Sequence, residues 1–516
     1  MKKKLSKKFL TILTSILLTF AVYTGALLIF LYVQGWRLDF TEQTIKKVGV
    51  LTVESSPILA SIHVGDEYKG KTNKSMTLDV DTYEVTVSKD GYYNWSKEVS
   101  ILEEKSTPIY PYLIMTDFTS EEIYQSDLTL DNFWVNETND RLILLLKDED
   151  SLQLFQYNIN RDFWVLNASP VKILDIPIEE NESENTPENI DIQLSPSGKM
   201  AVLTITNETN TKYLIPTTKS STYSTIIEDP LELTDFQDYT ITWSNDEEFL
   251  ILESENDVIS YDLDQKTKYL LLKKTDSLDT WSTDPEGYFY IFKHIETSEK
   301  NILKYTLKQY NMDGSAETTV ISSLYFQNNT EYIENYRTAD FKFSFFTNSP
   351  ENTQTIGEIT KFAVNSDVNG LYIKTTQATY WYDVTIEKYI TISTYPADLL
   401  EFAPDDHKMI IKTPSKYQIF IFDKEEGDHT ITIGTHDIEN LNFDQIEKIN
   451  WLSNSDYIQF EEDEFIYISD KDGDNKTPLT NNKNILYWTI TSSREKLLTL
   501  TNTNEQGLSI ILYTIH

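Results

Sequence analysis

The sequence predicts an all-β protein held by one N-terminal transmembrane helix, with a small β-sandwich followed by a seven- or eight-bladed β-propeller. Three observations lead there. Aromatic residues make up 13% of 516 residues, with 32 Tyr and 24 Phe, and Thr and Ile are frequent; such side chains suit pleated, half-buried surfaces. A unit of apolar strand, polar turn and apolar strand recurs along most of the chain. A single uncharged apolar run, near the N-terminus, reaches membrane length.

That run covers Phe9 to Trp36 and follows a tip, residues 1–8, that holds Lys2, Lys3, Lys4, Lys7 and Lys8. A bilayer needs about 20 apolar residues in a helix. Lysines on the N-terminal side keep that end in the cytoplasm, which puts the C-terminal body outside. Thr24-Gly25-Ala26 would suit a signal-peptide cleavage site. The apolar run continues past it, however, and exceeds the roughly 7–15 residues of a cleavable core, so residues 9–36 read as an uncleaved signal anchor in the cell membrane.

Residues 48–114 read as short strands: VGVLTVES, ASIHVGD, SMTLDV, TYEVTVSK, WSKEVSIL and PIYPYLI. In TYEVTVS, Tyr83, Val85 and Val87 face one way and Glu84, Thr86 and Ser88 the other. Pro57 and the turn Lys89–Gly91 punctuate the run. Together these make a small antiparallel sandwich, with Tyr92, Tyr93 and Trp95 as core and sheet packing.

Here the residues carry a resemblance. Gly49, Leu51, Val53, Ser55, Pro57 and Ala60, then Val64, Gly70-Lys71-Thr72, and Tyr83-x-Val85-x-Val87-x-Lys89-Asp90-Gly91-Tyr92 resemble a PEGA domain. Gly65-Asp66 stands where an Asp-Gly turn is usual, Asn73 replaces a Pro, and Asp81-Thr82 a Gly. The resemblance implies a transthyretin-like sandwich on a bacterial or archaeal surface protein, without catalytic residues, serving as a structural or adhesive spacer.

From residue 120 to 516 the repeated unit begins at Asp131, Asp191, Thr240, Asp279, Lys361, Leu400, Ile449 and Tyr487. Starts at roughly 40 to 80 residues predict a propeller with inserts or an unrecognised blade, the widest gap lying between Asp279 and Lys361. One blade cannot cover both its faces; its neighbours must. Ser195–Lys199 (SPSGK) and Ala403–Lys408 (APDDHK) resemble the S-P-D-G-K turn of WD40-like, TolB-type repeats, and Asn311–Ser315 with Ser469–Thr480 resemble their D-G hairpin. The acidic stretch Ile176–Asp191 lacks periodicity and reads as a loop between blades.

Chemistry is harder to find. Cysteine is absent and net charge is −38; a body this acidic repels phosphate, which excludes a nucleic-acid partner. Asp470-Lys471-Asp472-Gly473-Asp474 partly mimics a calcium loop, but its twelfth position is Asn481 and it reads better as a hairpin. His63, His294, His407, His429, His436 and His516 show no metal-ligand spacing, His429 and His436 being the nearest pair. Asp405-Asp406 and Glu461-Glu462 would be acid/base partners only if separated across a cleft. Phe341, Phe343 and Phe345 read as one face of a buried strand; Tyr380, Trp381 and Tyr382 read as core, with a pocket ring as the alternative. No nucleophile elbow, Walker motif or dinucleotide fingerprint occurs.

No catalytic, cofactor or metal residue is therefore assigned. The expected function is a membrane-anchored extracytoplasmic protein whose propeller binds an envelope protein or a glycan. The alternatives are a propeller hydrolase acting on glycans or peptides, and a chaperone or partner subunit of an envelope complex.

Overall fold

A computed structural model describes residues 7–33, 36–39, 44–136, 140–148, 150–159, 170–177, 189–206, 210–221, 239–274, 279–284, 286–296, 302–327, 357–365, 369–423, 433–480, 485–491, 495–503 and 507–516. The chain divides into two compact units, one built mainly from residues 1–117 and the other from 118–423 and 433–515. Helix α1, Lys7–Val33, is followed by strand β1, Trp36–Asp39. Trp36 thus opens a strand and does not end the helix. Among the described residues no helix is long and apolar enough to cross a membrane. The continuous stretch of α1 whose side chains are described, 14–27, would rise only about 21 Å.

The first unit is a two-sheet sandwich. One sheet has the order β1–β2–β5 (β2, Thr44–Val53; β5, Lys74–Asp79), with β8, Ser106–Ile109, beside β2. The other is β4–β3–β6–β7 (β3, Ser61–Val64; β4, Glu67–Lys71; β6, Thr82–Ser88; β7, Trp95–Ser100). The expectation of a wholly antiparallel sandwich needs correction, because β8 runs parallel to β2. Strand β4 lacks apolar alternation and was not legible. Alternation in β6 is as expected: Val85 and Val87 are buried with Leu51, Val53, Ile62, Trp95 and Val99, and Tyr83 and Tyr92 pack against them. Tyr93 is exposed instead.

The motif residues have physical work. A Cβ on Gly49 would sit 2.2 Å from the Leu102 carbonyl, so β2 can approach that loop only with glycine there. Gly65, at φ +56°, opens the two-residue β3–β4 turn, a conformation glycine adopts without steric cost. Thr72 is buried; its Oγ1 lies 2.6 Å from Ser55 Oγ and accepts from Ala60 N at 3.1 Å.

The second unit holds eight antiparallel sheets in chain order among the described residues; seven have four strands and the second has three. Their first strands are Thr129–Val135, Asn189–Leu194, Thr240–Trp243, Thr280–Thr283, Ile359–Val364, Asp398–Phe402, Ile446–Trp451 and Ile485–Ile490. All eight sequence repeats map to these strands and the hairpins that follow them. The last sheet takes its fourth strand from upstream: β9, Thr119–Ser126, pairs with Gly507–Thr514.

Packing closes the ring. Continuous apolar clusters join blades one and two, two and three, three and four, four and five, five and six, and eight and one. Polar bonds join six to seven and seven to eight, Trp451 N–Glu401 Oε2 at 2.9 Å and Trp488 Nε1–Glu461 Oε2 at 2.7 Å. The described residues of the unit therefore form an eight-bladed propeller, each sheet covered by its neighbours. Residues 178–188, most of the acidic stretch, and Phe341, Phe343 and Phe345 lie outside the described residues; the acidic stretch is bracketed by blades one and two. Tyr380, Trp381 and Tyr382 are buried in blade five.

Among the described residues, the turn after the first strand is built alike in five blades. In five blades the first turn residue's carbonyl accepts from the fourth residue's N–H: Ser195–Gly198, Ser244–Glu247, Asp284–Gly287, Ala403–Asp406 and Leu452–Ser455. Each of those fourth residues has positive φ. These turns also bond blade to blade. Asn136 Nδ2 donates to Pro196 O at 2.7 Å, Ser197 Oγ to Glu247 Oε2 at 2.8 Å, and Asn245 Nδ2 to Asp284 O at 2.5 Å. Asn365 Nδ2 donates to Asp406 Oδ2 at 2.9 Å, and Asp405 N to Ser455 Oγ at 3.0 Å.

Candidate functional site

The first strands form the hub of the propeller, for two reasons. Hydrogen bonds run directly from first strand to first strand: Trp134 Nε1 to Asp191 Oδ1, Trp243 Nε1 to Gln193 O, Trp451 N to Glu401 Oε2, and Lys448 Nζ to Trp488 O. Fourth strands such as Thr267–Lys273 and Lys388–Ser393 lie at the opposite edge of their sheets, as an outer rim does.

The hub is not uniform. In blades five, six, seven, eight and one the first strand carries an extra residue in its pairing with the second. Register jumps across Thr360, Leu400, Glu447, Leu486 and Asp131, leaving each without an opposite number. All five are exposed. In blades two, three and four the register is unbroken. A bulge shifts the chain by one residue, so the next side chain turns to the other face. In blades six, seven and eight the residue after the bulge reaches towards the next blade. Glu401, after Leu400, accepts from Trp451 N of blade seven. Lys448, after Glu447, donates to Trp488 O of blade eight at 3.2 Å. Tyr487, after Leu486, meets the Phe133 ring of blade one at 5.9 Å.

Electrostatics follows from this. Lys448 Nζ stands 4.6 Å from the Trp488 ring and 4.9 Å from that of Tyr487, a cation–π position. Burial lowers the Lys448 ammonium from its ordinary range, while the charges of Glu461 and Glu401 hold it up. The Glu401 side chain is exposed, yet the protein packed around it costs the carboxylate hydration and raises its carboxyl, against the Trp451 N–H and the Lys448 charge. Burial also raises the Tyr487 phenol. Perturbed groups of this kind cluster at functional sites, although structural ion networks produce them too.

The other sequence candidates go elsewhere. Asp405 binds buried Lys408, and Asp406 accepts from Asn365. Glu461 accepts the Trp488 indole; Glu462 pairs with Lys476 and accepts from Asn442 N. Neither pair is arranged as two free carboxylates facing a cleft. Residues 470–474 form the expected hairpin turn, Asp470 N to Asp474 O at 2.9 Å. His63 packs beside Tyr68, and His294 beside Tyr305. His407 faces Asp423 at 3.5 Å, and His516 Nδ1 lies 2.8 Å from Leu113 O. His436 is on the fourth strand of blade six, and His429 lies outside the described residues. Among the described residues no group of three His, Asp or Glu could hold a metal ion.

Sequence reading missed the bulges, though they leave a trace. Apolar residues in the bulged strands stand three apart: Leu130 and Phe133, Ile359 and Phe362, Leu399 and Phe402, Ile446 and Ile449, Ile485 and Trp488. In regular hub strands they stand two apart, as in Ile190 and Ile192, or Ile241 and Trp243.

Comparison with known proteins gives one family match. Residues 48–113 match the PEGA domain. That PEGA segment is the sandwich described above. No curated protein matches the chain. Several solved structures resemble it. Oligogalacturonate lyase from Vibrio parahaemolyticus has 10% identity and a TM-score of 0.36 over 76% of this chain and 98% of that one. Porphyromonas gingivalis dipeptidyl peptidase 4 has 10% identity and a TM-score of 0.43, over 76% of this chain and 58% of that one. The WD40 domain of SCAP from fission yeast has 11% identity and a TM-score of 0.35, over 78% and 97%. At such TM-scores none of them bears on activity.

Proposed function

We propose that the protein is a single-pass, membrane-anchored surface protein, with a cytoplasmic lysine-rich tip and an extracytoplasmic body in which the PEGA segment is a spacer and the propeller hub binds a partner of the cell envelope. The observation that carries the reading is the surface of α1. Ile16, Leu17, Leu18, Phe20, Val22, Tyr23, Leu27, Ile29 and Phe30 are each more than half exposed. A helix apolar on all sides is stable only where something apolar surrounds it, and a bilayer does so. Five lysines ahead of it favour a cytoplasmic N-terminus.

Binding is preferred to catalysis because the hub charges Glu401, Lys448 and Glu461 are engaged with backbone groups or an indole, whereas its exposed residues differ in kind from blade to blade, as a recognition surface requires. Protease treatment of intact cells tests the topology. The body should be degraded while the cells remain closed; a body degraded only after lysis would overturn the reading. Capture of an envelope component from native extract by the detergent-solubilised full chain, lost on hub substitution, tests the binding role.

A further inference from the structure

The eighth blade is completed by the strand through which the chain enters the second unit. Residues 1–117 belong to the first unit and Phe118 begins the second, so β9, Thr119–Ser126, is the first element beyond that junction. It pairs antiparallel with Gly507–Thr514, Thr119 opposite Thr514 and Ser126 opposite Leu508. Its hold is thin. None of its eight residues is buried, and Ile123 and Tyr124 pack only partly against the cluster of blades eight and one. The ladder is interrupted at Ile123, which has no opposite number. Ser509 Oγ adds one side-chain bond, donating to Glu122 Oε1 at 2.5 Å. Other fourth strands are anchored in the core, Thr267–Lys273 by Leu272, Thr318–Gln327 by Ile321 and Leu324, and Lys388–Ser393 by Ile392.

We propose that β9 is a strap that tension on the preceding chain peels away before any blade unfolds. A strand held by backbone bonds, with little apolar surface covered, opens at a lower free energy than the core. Load arriving through Asp117 and Phe118 reaches the Thr119–Thr514 pair first. Pulled against that same end of the blade, the pairs break one after another, as in a zipper. Pulled against the far end, at Leu508, they must break together. The ring survives the loss, because blades eight and one meet through Leu142, Leu144, Leu498, Leu500, Leu508 and Ile510, all buried and none of them on β9. What release uncovers is the edge of Gly507–Thr514, a row of backbone donors and acceptors able to pair with another extended strand. The strap follows from the fold alone. That its load in the cell comes from a hub-bound partner pulling against the anchored helix rests on the reading above.

The first measurement needs no substitution. In the full chain in detergent micelles, amide hydrogen exchange at residues 119–126 should be at least about tenfold faster than at Thr318–Gln327; equal protection would overturn the proposal. Tension is then applied through pairs of introduced cysteines, on a chain that has none of its own. Asp117, Glu495 and Asn502 are exposed. Glu495 lies at the Thr119 end of the blade, where its carbonyl accepts from Ile515 N, and Asn502 lies at the other end, opposite Leu508. Pulling Asp117→Cys against Glu495→Cys should give a short reversible step, on the order of the ~27 Å length of eight extended residues, before the ring unfolds. Pulling Asp117→Cys against Asn502→Cys should need markedly more force for the same release. Unfolding without an early step, or an early step at equal force in both geometries, would overturn the proposal. Hub-dependent capture of an envelope component is independent of these results, so the strap and the binding role fail separately.

Discussion

Blades two to four and the arc running from blade five round to blade one share a repeat, but their hub strands differ by one residue each. In the regular strands Ile190 and Ile192, or Ile241 and Trp243, keep a period of two and are buried. In the bulged strands Ile446 and Ile449, or Ile359 and Phe362, are buried three apart. The inserted residue belongs to neither face and stands in solvent. Disruption is tolerable there because a hub strand pairs on one edge only, so a bulge disturbs a single ladder. The comparison teaches that recognition residues can be added to a repeat without changing the blade.

The comparison breaks most severely if a strand loses its parity. Deleting Ile449 would move Asn450 into its buried place, and a loss of at least about 3 kcal/mol is expected, read as a denaturation midpoint. Deleting Glu447 instead leaves Ile446 and Ile449 two apart, as in a regular strand, and should cost far less. A milder change concerns the charge that the bulge turns inward. Lys448→Ala should cost about 2 kcal/mol, since it leaves Glu461 and Glu401 without a nearby cation, whereas Lys448→Met should cost less because it refills the space. Thermal denaturation of the two variants would separate charge from packing.

Smaller still is the turn bond shared by blades two and three in the regular arc. Ser197→Ala removes the bond to Glu247 Oε2, and about 1 kcal/mol is expected. A last, slight effect depends on pH. Glu401 has its carboxyl raised above the ordinary 4.5, chiefly by burial. Its favourable contribution is complete below that value and is lost as pH rises through the raised one. The Glu401→Gln variant should therefore gain stability relative to the unsubstituted protein as pH rises from about 4; a gap independent of pH would show that Glu401 titrates normally.

Much of the architecture was legible. The eight repeats were legible because the polar turn bonds across to a neighbouring blade through a side chain, which selects Ser and Asn there, as at Asn136, Ser197, Asn245, Asn365 and Ser455. The PEGA motif carried the sandwich because Gly49, Gly65 and Thr72 meet specific steric and hydrogen-bonding demands. Strand β4 was not legible, since EYKGK has no buried face, and neither was the parallel β8, whose pairing partner lies some fifty residues away. The hub site escaped for another reason. Glu401 and Lys448 look like ordinary surface charges in the sequence, and only the fold shows that they bond to the neighbouring blade.

Cysteine labelling measures that parity directly, and the chain's lack of native cysteine leaves a clean background. In the full-length protein, Glu447→Cys should react rapidly with a maleimide and Ile449→Cys should be protected until unfolding, while Asp191→Cys and Ile192→Cys give the fast and slow references of a regular strand. Equal, rapid reaction at positions 447 and 449 would mean that the strand alternates without interruption, and the distinction between the two arcs would fall.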